Sequence, residues 1–472
     1  MSALLALTAL LWLRLPSNIV PILNVDEADF AVESAVLLDG GRPYVDFVEK
    51  KPPLVYLLYA GAMRIVGRYN LPAFRLLLIV YVLASALLLA AIARRLYGEK
   101  VALLAAPLYA VTVSVGLPMD VHAANAETLF LLPLLAGTYL WLRGSERAFV
   151  AGVFLGLATL IKQQAGIQLL VLIAASCLEA ERLRRIGLMC AGFALPCLLS
   201  LTGLAVVGSL GEFLYWTIGI NGYYIANGNT AASGARLLAG ALRLMWGFAP
   251  GVWFAGTARL VYELLRRHER RPVVAFWGFG SIVPICLGGR FFPHYFLQRF
   301  PPLVLLASAV AIAAWERVDH RRALQLAGAV AVAALLVITP ATRMSAFRDA
   351  ELLSVPRDSG GPRRRSLGPR AHRAVRARAL LGIRLGTLLS LAAKAGDAIP
   401  LRHISRGRGG RHAIVVEPVP SEQGTRDSTR MGSLLRGSGA PSAFHLRRHR
   451  GTGLLRLLEV SSCAISAAAG VS

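Results

Sequence analysis

The chain has 472 residues, of which 56% are hydrophobic and 16% charged, and its formal net charge is +25. Its mean hydropathy is +0.56. Soluble domains carry about 25% charged and about 45–50% apolar residues, so the composition excludes an ordinary soluble enzyme and points to a membrane protein.

Residues 2–16 form the first apolar run, interrupted by Arg14. The run lacks the basic start and small-residue cleavage site of a signal peptide, so it reads as a first span. A polar loop over 17–70 follows, with Asn24, Asp26, Glu27, Asp29 and Glu33, then Glu49-Lys50-Lys51-Pro52-Pro53-Leu54. Charge beside hydrocarbon is costly and is seldom kept without a use. Within the loop, residues 28–38 place Phe30, Val32, Ala35, Val36 and Leu37 roughly on one helical face, and Gly40-Gly41 stops that helix. Residues 53–66, with Tyr56 and Tyr59, form a second apolar segment. It is too short to span comfortably, so two helices lying in the outer interface are expected; the alternative is a true span.

Further apolar runs cover 71–93, 100–117, 126–142, 147–161, 165–179, 186–207, 237–258, 272–288, 300–315 and 323–340. With the first run this predicts an all-α, polytopic membrane bundle of about eleven spans. Alternate connections are basic: Arg94, Arg95 and Lys100; Arg143 and Arg147; Arg182, Arg184 and Arg185; Arg266, Arg267, Arg270 and Arg271; Arg317, Arg321 and Arg322. The positive-inside rule makes these loops cytoplasmic. Loop 17–70 and its acids then face the extracytoplasmic side of the cell (inner) membrane.

Four outward clusters could carry chemistry. Asp26-Glu27 supplies a carboxylate at an apolar boundary, suited to a general base; the same pair also suits the first turn of a helix. Glu49-x-Lys51-Pro52-Pro53 offers a lysine to a phosphate or a lysine snorkelling at the interface. Asp120, His122, Asn125 and Glu127 lie in the next outer loop, where a histidine and two carboxylates could bind a divalent metal. In Arg290-Phe291-Phe292-Pro293-His294-Tyr295, Arg290 suits a phosphate clamp, and His294 either donates to an anion or sits in the aromatic belt. Lys162-Gln163-Gln164 adds a basic spot on the same side. The cysteines form neither a metal spacing nor a disulfide framework.

Taken in order, Asp26-Glu27, Lys51-Pro52-Pro53-Leu54, Asn125-Ala126-Glu127 and Arg290-Phe291-Phe292-Pro293-His294-Tyr295 resemble the GT-C class of integral-membrane glycosyltransferases. The resemblance is to the branch of protein O-mannosyltransferases and lipid A aminoarabinose transferases, and it covers roughly residues 1–340. It implies a sugar donor on a polyprenyl phosphate and an acceptor lipid, protein or glycan at the outer face. Asp26 would be the general base, with Glu27 its neighbour in the motif. Lys51 and Arg290 would hold the lipid phosphate, with His294 and Lys162 beside them, and Glu127 would be the second acidic position. Glu49, Asp120 and His122 would serve acceptor or metal. The resemblance requires no cofactor and leaves a divalent metal open. It implies inversion at the anomeric centre and no nucleic-acid partner. The alternative function is a membrane transporter or lipid flippase, which would place charges along a path through the bundle.

The expected division is a membrane-embedded domain at 1–345 and a basic tail at 346–472. Residues 357–472 hold 20 Arg and 1 Lys against 6 acids, with Phe444 as the sole aromatic. That composition reads as disordered, with isolated helices at 374–395 and 453–468. The abrupt change of composition near 350 also fits an out-of-frame translation.

Overall fold

A computed structural model describes residues 1–179, 181–222, 231–265 and 272–317, with four short strands further along. The chain divides into two units, Met1–Gly361 and Pro362–Ser472.

All regular secondary structure among the described residues of the first unit is helical. It opens with α1 (Ser2–Arg14), which tightens into a 3-10 turn at Leu15–Ile19. Next come α2 (Val25–Leu38), α3 (Leu54–Val66), α4 (Leu71–Tyr97), α5 (Glu99–Thr112), the single turn α6 (Pro118–Val121) and α7 (Ala126–Trp141). They are followed by α8 (Ala148–Ile161), α9 (Ile167–Ser176), α10 (Arg182–Val206) and α11 (Leu210–Leu214), the last passing into a π-helical turn at Tyr215–Ile220. The rest is α12 (Ala231–Phe248), α13 (Pro250–Leu265), α14 (Pro272–Gly280), α15 (Val283–Cys286), a 3-10 segment Pro293–Arg299 and α16 (Phe300–Trp315).

Among the described residues, four stretches are long and apolar enough to cross a membrane: Ser2–Ile19, Leu71–Tyr97, Arg182–Val206 and Pro293–Trp315. The other apolar helices are shorter than the roughly 20 residues that crossing the hydrocarbon needs. Two expected spans are broken. The run 237–258 divides between α12 and α13, because Pro250 opens a new helix where its ring and missing N–H cannot continue the old one. The run 272–288 divides at Ser281-Ile282, between α14 and α15. The run 323–340 lies outside the described residues.

The bundle is held by close helix contacts. α8 and α10 meet at glycines: a Cβ on Gly152 would lie 2.0 Å from the Met189 carbonyl oxygen, and one on Gly192 would lie 1.9 Å from that of Phe149. Small residues let backbones approach this closely in lipid, where apolar burial alone gives helices no reason to associate. α4 packs on α5 and α7, and α1 packs on α5.

The first loop is folded, as its pattern suggests. The Asn24 side chain caps α2 by accepting from the Asp26 N–H at 2.9 Å. At the other end Gly40 takes φ +81°, and the Gly41 N–H reaches back to the Val36 carbonyl at 2.9 Å. α3 buries Val55, Tyr56, Tyr59 and Met63 and exposes Leu57 and Ile65. Its tyrosines pack edge-on against Phe30, Tyr44, Phe47 and Phe74, with ring centroids 4.6–6.4 Å apart. Loop 17–70 is therefore a packed layer that can fix side-chain positions.

The second unit holds two antiparallel strand pairs among its described residues. β1 (Leu401–Ile404) pairs with β2 (Ala413–Val416), and β3 (Leu446–Arg448) with β4 (Leu455–Leu457). These strands differ from an all-α chain and from the helix expected at 453–468. β2, Ala-Ile-Val-Val, is rich in β-branched residues, which favour strands. The helix expected at 374–395 lies outside the described residues.

Candidate active site

Asp26 and Glu27 sit in the first turn of α2. Adjacent helical residues point about 100° apart, so the two carboxylates have different partners. The Glu27 side chain is 0% exposed and pairs with Arg75 of α4. Arg75 also donates to the carbonyls of Ser17 at 3.2 Å and Val20 at 2.6 Å. Burial pushes the Glu27 carboxyl up, against the pull of the Arg75 guanidinium. Glu27 thus ties α2 to α4 and does not stand with Asp26.

Asp26 is half-buried, with 33% of its side chain exposed, and faces Lys51 Nζ at 3.3 Å. Burial opposes its charge, but Lys51, His294 and Lys162 outweigh that and hold the carboxyl down at about 2. For Lys51, burial is likewise opposed, by Asp26, Glu49 and Glu127, and the ammonium is held above its ordinary value. Lys51 Nζ also lies 4.5 Å from the Phe30 ring centroid, a cation–π contact.

A second set faces the first. Glu127, at the start of α7 and 1% exposed, pairs with Lys162 just beyond α8. The Glu127 Oε1 is 3.9 Å from His294 Nε2, and His294 Nδ1 is 3.1 Å from Asp120 Oδ1. The imidazole therefore stands between two carboxylates from different segments. It stacks on Phe292 with centroids 5.6 Å apart. Lys162 Nζ lies 4.3 Å from the Tyr295 ring centroid. Gln163, next to Lys162, donates to the Lys50 carbonyl at 2.7 Å, which ties the second set to the backbone beside Lys51.

Other expected residues lie at the edge or elsewhere. Glu49 accepts from the Lys50 N–H at 2.6 Å and acts on both lysines. Burial, with the charges of Lys51 and Arg290, lowers the Lys50 ammonium against the pull of Glu49 and Asp26. The His122 Nε2 meets the Ser114 carbonyl at 2.8 Å. Arg14 holds the same turn through Ser114 Oγ at 3.0 Å and the Val113 and Val121 carbonyls at 2.9 and 2.7 Å.

Sequence reasoning missed Arg75, Lys50 and Asn221. Arg75 looked like part of a span. Lys50 was overshadowed by Lys51, although the doubled lysine before two prolines was a usable signal. Asn221, after the π-helical turn, had no local signal.

Among the described residues no group of three or more His, Cys, Asp or Glu is arranged to hold a metal ion. Asp26 and Glu127 face the ammonium groups of Lys51 and Lys162, and Asp120 faces the His294 imidazole. A dication would compete with Lys51 for Asp26 and with Lys162 for Glu127.

Residues 50–207 match the family model described as dolichyl-phosphate-mannose-protein mannosyltransferase. A search of curated protein sequences found no significant match. The solved structure of ArnT from Cupriavidus metallidurans bound to undecaprenyl phosphate is similar with a TM-score of 0.52 at 16% identity, covering 83% of this chain and 71% of that one. The archaeal oligosaccharyltransferase AglB from Archaeoglobus fulgidus, in complex with an inhibitory peptide and a dolichol-phosphate, gives a TM-score of 0.46 at 14% identity over 80% of this chain. An Archaeoglobus fulgidus oligosaccharyltransferase in complex with Zn and sulfate gives a TM-score of 0.48 at 15% identity over 80% of this chain. The chain spans 59% and 57% of these two archaeal chains. The likeness to ArnT shows that the chain shares that protein's membrane-helix fold, and the family model matches residues 50–207 within it.

Proposed function

We propose that the protein transfers a sugar from a polyprenyl-phosphate donor to an acceptor hydroxyl at the extracytoplasmic face of the membrane. The observation that carries this reading is the Asp26–Lys51 pair, 3.3 Å apart and partly exposed, facing the Glu127–Lys162–His294 set. It joins a carboxylate to cations suited to a phosphate, on a fold whose ArnT relative is bound to undecaprenyl phosphate. The alternation of basic loops supports the outward orientation.

In this reading the acceptor hydroxyl oxygen attacks the anomeric carbon from the side opposite the phosphate. Asp26 takes the hydroxyl proton. The carbon–oxygen bond to phosphate breaks, and its electron pair leaves on the phosphate oxygen, so the anomeric centre inverts. Lys51, Arg290 and Lys162 stabilise the phosphate as it leaves, which is electrostatic assistance from groups already in place. Glu127 and Asp120 hold Lys162 and His294, and Glu49 steadies the lysine pair. Glu27 holds α2 so that Asp26 faces the cluster.

The resting Asp26 is a weak base because Lys51 neutralises it. A donor phosphate competes for Lys51, and that exchange raises the proton affinity of Asp26 as the donor arrives. The test is to incubate membranes containing the protein with a panel of polyprenyl-phosphate sugars and score released polyprenyl phosphate. Release that requires both a sugar donor and the protein supports the reading; no release with any donor rejects it.

A further inference from the structure

The backbone that carries Lys51 is held by side chains from four separate places. The Lys50 carbonyl accepts from Gln163 Nε2 at 2.7 Å and from Asn221 Nδ2 at 2.8 Å. The Lys51 carbonyl accepts from Tyr44 Oη at 2.8 Å and from Tyr56 Oη at 3.3 Å. Both lone-pair positions of two successive carbonyls are thus filled by side-chain donors. Gln163 lies 113 positions away and Asn221 171 positions away. Asn221 is itself fixed, donating to the Thr217 carbonyl at 2.8 Å.

Polar side chains in so apolar a chain are costly unless used. A loop carbonyl pair in this position could also have been satisfied by water at less cost in ordered side chains. Convergence of four donors on these two groups fixes the peptide planes on both sides of the Lys51 Cα. From that fixed Cα the lysine runs past the Phe30 ring to Asp26. Tyr44 is buried among Tyr56, Phe47 and Phe213, with ring centroids 5.1–6.4 Å apart, so its hydroxyl direction is set by packing. Burial, with Glu49 and Glu33, pushes its phenol well above its ordinary value, so the hydroxyl keeps its proton and donates.

The geometry points to Gln163, Asn221 and Tyr44 as positioning residues that lock the Lys50–Lys51 backbone, so that Lys51 meets the donor phosphate with its place already set. Preorganisation of this kind adds affinity by removing the cost of ordering the group on binding. The inference rests on the proposed role of Lys51. It adds that residues far from the lysine in sequence, touching neither phosphate nor sugar, control phosphate binding through it.

The test measures equilibrium binding of undecaprenyl phosphate to the full chain in lipid nanodiscs. The variants are Lys51→Ala, the double change Gln163→Ala with Asn221→Ala, Tyr44→Phe, and the double change combined with Lys51→Ala. The double change should weaken binding about tenfold, the effect of one to two lost hydrogen bonds, and Tyr44→Phe about threefold. In the Lys51→Ala background the double change should have almost no further effect, a non-additivity that general loosening of the fold would not produce. Tyr44→Phe removes one oxygen atom and keeps the ring packing, so it serves if the double variant does not fold. Weakening of equal size with and without Lys51, or parental affinity in the double variant and in Tyr44→Phe while Lys51→Ala binds poorly, overturns the clamp. Parental affinity in Lys51→Ala itself overturns the role of Lys51, and the clamp with it.

Discussion

Asp26 and Glu27 are adjacent in sequence and do different work, and the difference follows from helix geometry. Asp26 turns to Lys51, while Glu27 turns to the buried Arg75. Asp26→Asn should therefore abolish transfer with donor binding nearly intact, a loss of roughly 10²–10⁴-fold in rate. The acid limb of kcat/KM reports the free enzyme's base. Because the Asp26 carboxyl is held down at about 2, activity should persist as pH falls through the ordinary carboxylate range. Lys51→Gln removes the strongest opposition to burial, so the limb should move to higher pH. A pH–rate profile unchanged by Lys51→Gln would show that Asp26 is not the titrating base. Asp26 and Lys51 lie in one loop of the sequence, but their direct pairing depends on how α2 and the turn before α3 fold together. Glu27–Arg75 was not foreseeable either, because it joins residues 48 positions apart and nothing local marks a span residue as an ion-pair partner.

At the scale of the helices, two features hold the site in place. Arg75 anchors α2 to α4, and its loss would leave Glu27 as an unpaired buried charge. Arg75→Met should cost roughly 3–5 kcal/mol, read as a large fall in unfolding temperature, whereas Asp26→Asn should leave that temperature near parental. The α8–α10 seam depends on glycine. Gly192→Leu would press a side chain against the Phe149 backbone and should destabilise by roughly 1–3 kcal/mol or more. Gly187→Ala, elsewhere on α10 with nothing within 4 Å of the new Cβ, should be neutral or stabilising. Equal effects of the two changes would rule out close packing as the role of Gly192. The helices of the first loop were legible from their apolar faces, the Gly40-Gly41 stop and the proline start. The breaks inside 237–258 and 272–288 were not, because hydropathy averages across a single proline or serine.

For the whole molecule, the account places the Asp26 cluster on the face opposite the basic loops. A cysteine introduced at exposed Asp39, in a chain with its five native cysteines replaced, should react with a membrane-impermeant thiol reagent from outside intact cells. One at exposed Arg143 should react only after the membrane is opened. The reverse pattern would invert the topology. The alternation of basic loops is legible without any structure, since it depends on charge counts over many connections, and the orientation it implies is what this labelling tests. Whether the clusters converge was not readable, because it depends on how α2, α7 and the 3-10 segment Pro293–Arg299 pack together. The most direct test of the central claim is single-turnover release of polyprenyl phosphate from a sugar-loaded donor by purified parental protein and Asp26→Asn, both in nanodiscs and matched for folding and donor binding. The account predicts release by the parent and a roughly 10²–10⁴-fold slower release by the variant; equal rates would contradict it.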